Sequence, residues 1–219
     1  MNKLATHNSL SGYRVKTWWL RPFNFLSKCQ DKTLEEQYAS GARSFDLRFA
    51  KYRGEWYAAH GAMVYEITLS QAIRKLASLP CPVYFRVLCE DTFYRQSDAK
   101  ELSMRISEEI NELSGLTPLY VQSKRTWEVV VEYAGNRECA NFDLWSFTEN
   151  DRDSLCTKVA QMYELQTTDD KINFIGCYES AGVPWLFGLP LPRLAARALT
   201  PIALKKQWKE NDCPVVDFI

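Results

Sequence analysis

The chain has 219 residues, 46% hydrophobic and 25% charged, the make-up of a globular domain long enough to bury a full core, and one domain over 1–219 is expected. Its 27 Lys and Arg balance 27 Asp and Glu, so no net field holds nucleic acid or an anionic membrane over a broad surface, and charge selectivity has to be local. Seven cysteines, odd in number and without C-x-x-C spacing, argue against a zinc knuckle or a disulfide framework and for buried thiols.

In chain order, apolar or alternating segments rich in β-branched and aromatic residues predict strands near Leu4–Thr6, Ser44–Phe49, Glu55–Ala59, Val83–Leu88, Val129–Val131, Ile172–Ile175 and Val215–Phe218. Helices are predicted between many of them. Thr33-Leu34-Glu35-Glu36 is a capping box with Gly41 as the expected C′ residue, and Thr68-Leu69-Ser70-Gln71 repeats the start signal ahead of Pro80. Leu102, Ile106, Ile110 and Leu113 form a helical stripe closed by Gly115, and Leu155, Val159 and Met162 form another after Asn150. A last helix fits Leu191–Trp208, interrupted at Pro201. Strands alternating with helices predict parallel pairing through crossovers, in an open sheet or a closed barrel.

Between the first two strands, Val15–Leu26 mixes Trp18, Trp19, Phe23 and Phe25 with Lys16 and Arg21, just after Arg14. These aromatics either dip into a lipid surface or pack the first crossover onto the sheet; packing is the favoured expectation, because the segment has to return the chain to the next strand. No basic-then-apolar leader precedes the first motif and no apolar run approaches the roughly 20 residues of a membrane span, so a cytoplasmic protein is expected, or a secreted one if a leader precedes Met1.

The two histidines stand where strands run into loops, in Ala5-Thr6-His7-Asn8-Ser9 and Ala58-Ala59-His60-Gly61. Strand C-termini are where parallel sheets and barrels build sites, and a pair of imidazoles can act as base and acid in one displacement. In Ser44–Phe49 the period of two puts Phe45, Leu47 and Phe49 on one face and Ser44, Asp46 and Arg48 on the other; Val83–Glu90 likewise puts Arg86 and Glu90 together. In a barrel such charges point inward, where burial requires that they be paired.

Leu4-Ala5-Thr6-His7-Asn8-Ser9, then Glu36-Gln37 ahead of Ser40–Arg48, then His60-Gly61, resemble in order and spacing the X-box signature of phosphatidylinositol-specific phospholipases C. Pro214–Ile219 resembles that family's last strand. The resemblance implies a compact, irregular α/β barrel of the (β/α) TIM type. It implies His7 as general base oriented by Asp217, His60 as the group that protonates the leaving oxygen, and Arg48 on the phosphate, with Asp46 and Asn8 fixing geometry. The expected products are a cyclic phosphate and an alcohol.

Arg48 stands where calcium-dependent members carry a carboxylate and resembles the bacterial metal-independent branch, whereas Asn8 resembles the calcium-dependent one. The expectation is therefore no cofactor, with calcium near Asn8, Asp46 and Glu90 as the alternative. Arg86, Glu90 and Glu132 are the expected substrate contacts, Glu132 in place of the family's usual basic residue. Rival readings are a metal-dependent glycerophosphodiester phosphodiesterase and a headgroup-binding barrel without turnover.

Overall fold

The computed structural model describes residues 4–80, 83–90, 98–112, 128–133, 139–142, 154–178 and 192–219. A two-residue strand β1 (Ala5–Thr6) is followed by short 3-10 helices at Ser9–Gly12 and Trp18–Leu26, then by α1 (Leu34–Ala39) and the long β2 (Ser44–Tyr52). Next come β3 (Glu55–His60), β4 (Met63–Thr68), α2 (Leu69–Ala77), β5 (Tyr84–Cys89), α3 (Ala99–Glu112) and β6 (Glu128–Tyr133). The chain ends with β7 (Cys139–Phe142), α4 (Ser154–Glu164), β8 (Ile172–Gly176), α5 (Pro192–Lys205) and β9 (Asp212–Val216).

Both capping boxes form. Thr33 and Glu36 exchange side-chain and backbone hydrogen bonds at the start of α1, and Thr68 and Gln71 do so at α2, satisfying amides that a helix start leaves open. At the end of α1, Gly41 takes φ 104°, and the amides of Gly41 and Ala42 bond the carbonyls of Tyr38 and Gln37 at 3.0 Å each. That left-handed closure suits a residue without Cβ. Pro201 does not interrupt α5, contrary to the sequence expectation. The carbonyl it leaves without an amide belongs to Arg197, an exposed residue, while Leu199 and Ala203 stay packed in a buried cluster. Leu113, Gly115, Asn150 and Leu191 lie outside the described residues.

One nine-stranded sheet runs β7-β8-β9-β1-β2-β5-β6. Along this run of seven strands the pairs are parallel except β5 with β6, and the antiparallel strands β3 and β4 complete the nine. The sequence patterns missed β4 and β7. Beyond the short β1, the vacated edge of β2 is taken by the antiparallel hairpin β3–β4, with Phe49–Tyr52 paired against Glu55–Ala58. Among the described residues no ladder joins β6 to β7, so the expected barrel stands as a curled, open α/β half-barrel. No described helix is long and apolar enough to cross a membrane.

The two faces of β2 separate the two jobs of the fold. Phe45, Leu47 and Phe49 are completely buried in one apolar cluster with Ile73 and Leu76 of α2 and Leu102, Ile106 and Ile110 of α3. Each large side chain there contributes about 1.5–3 kcal/mol. Ser44, Asp46 and Arg48 on the opposite face are also buried, so the polar face is not a wet surface. The first crossover is pinned to β4 by Lys16 N–H to Val64 O and Glu66 N–H to Arg14 O, both 2.7 Å. Gly12 allows that crossover to fold tightly, since a Cβ there would meet the Lys32 carbonyl oxygen at 2.3 Å.

Candidate active site

β1 ends at Thr6, and the next amide, that of His7, still donates to Val216 O of β9 at 2.8 Å. Gln30 braces the same point by donating to His7 O (3.2 Å) and Val216 O (2.9 Å). Asp217, one residue past β9, is thereby brought to His7, with its Oδ1 at 2.7 Å from His7 Nδ1. On the other side of the ring, Arg48 Nη2 lies 2.8 Å from His7 Nε2. A guanidinium can only donate, so Nε2 must accept and the ring proton sits on Nδ1, toward the Asp217 carboxylate. His7 is held neutral, with the lone pair of a base on Nε2. Tyr178 covers its face, ring on ring at 3.5 Å and nearly parallel, and His7 is fully buried.

Asp46 is the hub of the inner face. Its Oδ2 accepts from the Asn8 amide (3.1 Å) and from Arg48 Nε (3.2 Å), and its Oδ1 accepts from Arg86 Nε (2.8 Å). Burial pushes the Asp46 carboxyl up, but Arg86 and Arg48 outweigh it and hold it below the ordinary range. Burial likewise works against the charge on Arg48, and Asp46 and Glu90 overcome it, raising the guanidinium's pKa well above its usual value. Glu90 receives Arg48 Nη1 on Oε1 at 3.0 Å and the Gly61 amide on Oε2 at 3.2 Å, so it ties the guanidinium to the turn that carries His60.

His60 lies at the end of β3, its ring centroid 5.8 Å from that of His7. Its Nδ1 donates to Ser27 O at 2.7 Å, which leaves Nε2 as the nitrogen that can exchange a proton with a ligand. Although one edge reaches solvent, desolvation lowers its pKa, opposed by the charge of Glu90. The thiol of Cys29 is 3.8 Å from the same Nδ1, and burial together with the Asp217 carboxylate pushes its pKa well up.

His7, Asn8, Asp46, Arg48, His60, Arg86, Glu90 and Asp217 are thus brought to one end of the sheet. Glu132 pairs opposite Arg86 in β6, but its side chain lies outside the described residues. Sequence reasoning missed Tyr178, Cys29 and Gln30. Tyr178 follows β8 as His7 follows β1, so the strand-end rule that singled out the histidines also covers it. Cys29 and Gln30 precede a capping box and carry no comparable signal.

The aromatic segment differs from the favoured expectation. Trp18, Trp19, Phe23 and Phe25 are 69, 41, 52 and 54% exposed, so these four do not pack the crossover. Leu20 does that, and Arg21 anchors the helix through Val15 O at 2.8 Å and Glu66 at 3.0 Å. The helix ends at Leu26, directly before the Ser27 carbonyl that holds His60.

No family model matches the chain, and no curated protein matches by sequence. Solved structures do. The phosphatidylinositol-specific phospholipase C of Listeria monocytogenes superposes with a TM-score of 0.58 at 14% identity, over 99% of this chain and 88% of that one. Two structures of the Staphylococcus aureus enzyme give 0.63 at 13% identity and 0.59 at 13% identity. They cover 100% and 99% of this chain and 86% of each of those. The chain shares their fold. The bacterial phospholipase C fold accordingly accommodates this half-barrel with its polar inner face.

Proposed function

We propose that the chain is a phosphatidylinositol-specific phospholipase C-type phosphodiesterase that works by acid–base catalysis without a metal. The observation that carries this reading is the bonded line Asp217–His7–Arg48 with His60 facing it across the strand ends. Bound phosphate draws the Arg48 fork off His7 Nε2, and Arg48 and Arg86 stabilise the non-bridging oxygens as charge builds on them. The exposed lone pair of His7 takes the proton of the substrate's own 2-hydroxyl, whose oxygen attacks phosphorus. The bond from phosphorus to the glycerol oxygen breaks, and His60 protonates that oxygen. The anionic phosphate favours the charged form of His60, offsetting the desolvation that keeps the ring neutral at rest.

Both amide atoms of Asn8 are buried without a hydrogen-bond partner among the described residues, a cost that a substrate hydroxyl or phosphate oxygen relieves. Calcium fits poorly here. Asp46 and Glu90 already bind guanidinium groups, which supply covalently the positive charge a cation would bring, and a calcium ion would have to displace Arg48 or Arg86. The exposed aromatic helix beside the mouth favours docking on lipid, through Trp18, Trp19, Phe23 and Phe25.

The decisive assay is phosphorus NMR of phosphatidylinositol micelles incubated with the protein and a chelator. Cyclic inositol phosphate is the expected first product. Direct release of the open-chain phosphate, or activity only on adding calcium, refutes the mechanism.

A further inference from the structure

Cys29 has no part in the reaction just described, yet its Sγ, a ring nitrogen of His7 and a carboxylate oxygen of Asp217 all lie within 4.8 Å of one another, and all three residues are buried; Nδ1 is the nitrogen that faces Asp217. Resting on the proposed reaction, we propose that these residues form an inhibitory site for a soft divalent cation of the zinc class, with the fourth position toward His60. Zinc bonds to nitrogen, oxygen and sulfur of about 2.0–2.3 Å place tetrahedral ligand atoms about 3.3–3.8 Å apart. Cys29 Sγ lies 3.8 Å from His60 Nδ1, whose proton stays on the Ser27 carbonyl, so the fourth position beside that ring is left to a water; His7 Nδ1 and Asp217, 2.7 Å apart, need only small side-chain rotations to admit the ion. The thiolate and imidazole select zinc-like ions over calcium or magnesium, which prefer oxygen. Entry is from the partly exposed edge of His60.

Charge favours loading. Among the described residues the inner cluster holds three carboxylates, Asp46, Glu90 and Asp217, against two guanidiniums, Arg48 and Arg86, while His7 is neutral. Binding a divalent ion releases the thiol proton to solvent, so the cluster gains one positive charge and becomes balanced. The ring proton of His7 must move from Nδ1 to Nε2, where it faces the Arg48 donor and breaks that hydrogen bond. The base then has no lone pair to offer the substrate, and the loaded protein is inactive.

The histidines, two in number, make the test direct. Zinc chloride titrated into uniformly 15N-labelled protein should shift Nδ1 of His7 and move its proton to Nε2, seen in long-range proton–nitrogen spectra. Cobalt(II) should give a thiolate-to-metal charge-transfer band that Cys29→Ala lacks, with Cys29→Ser as the size-preserving second variant and thermal melts confirming the fold. In chelator, all three proteins should cleave phosphatidylinositol. The zinc concentration for half-inhibition should rise by at least about 100-fold in either variant. An unmoved His7 resonance, a band that survives Cys29→Ala, or equal zinc sensitivity of variants and wild type overturns the site. The spectra need no turnover, so a chain that loads zinc as described but leaves phosphatidylinositol intact indicts the proposed reaction and not the metal ligands.

Discussion

His7 is completely buried, bonded through both ring nitrogens to charged side chains and covered by Tyr178, whereas His60 stands at a hairpin turn, its Nδ1 held by the Ser27 carbonyl beside the Cys29 thiol and its ring open to solvent along one edge. The difference follows from position in the sheet. His7 leaves the short central strand β1, flanked by β2 and β9, which deliver Arg48 and Asp217. His60 leaves a hairpin strand whose next residue, Gly61, turns with φ 54°. In the proposed reaction the tautomer fixed by Asp217 and Arg48 suits His7 to the role of base, and the solvent edge of His60 suits it to exchange protons as the acid.

The sharpest way to break this contrast is to delete either ring. His7→Ala and His60→Ala should each lower kcat/KM by about 10²–10⁴-fold with little change in the far-ultraviolet circular dichroism. Near-normal turnover of either variant rules out the pair. Arg48→Lys follows in size, because the ammonium keeps the charge but cannot span His7, Asp46 and Glu90 together; a loss of at least about 10²-fold is expected. Wild-type rates with lysine would remove the two-pronged phosphate contact.

Asp217→Asn should cost less than deleting His7, since the amide still accepts from Nδ1. The carboxylate favours the protonated ring, so its loss should move the acidic limb of the kcat/KM–pH profile to lower pH. Identical profiles would mean that Asp217 only closes the sheet. On the His60 side, Glu90→Gln should weaken the tie to the Gly61 amide and lower kcat while sparing KM; an unchanged kcat would leave the turn held by other contacts.

The smallest effect concerns stability. Burial depresses the His60 pKa below its ordinary 6.5, so the native state resists a proton that the unfolded chain accepts. Its contribution is fully present above pH 6.5 and is lost as the pH falls through the depressed folded value. Scans of Tm from pH 7.5 to about 5 should therefore slope downward, and less so for His60→Gln. Parallel curves would assign the slope to other groups.

The sequence by itself determined the local pieces. Capping boxes at Thr33 and Thr68, the αL glycine at Gly41 and the alternation in Ser44–Phe49 depend on neighbours within a few residues, and each formed where its pattern placed it. The ordered His, Asp-x-Arg, His and terminal Asp elements were legible too, because the histidines sit at strand ends and Asp46 and Arg48 share the polar face of an alternating strand. Only the tertiary structure decided which charges meet. The parallel register of Asp46 opposite Arg86 and the seating of Thr6 beside Val216 bring together groups tens to hundreds of residues apart, and no local pattern encodes such pairings. The same holds for β4, which gains its place by pairing with β3, the strand that fills the edge the two-residue β1 leaves open on β2, and for Pro201, which α5 accommodates beside the exposed Arg197. The aromatics after Val15 show the limit most clearly: the sequence favoured a packed crossover over a lipid-facing rim, and the four side chains are exposed. Pairing with β4 turned Trp18, Trp19, Phe23 and Phe25 outward, because Leu20 and Arg21 had already taken the inward contacts.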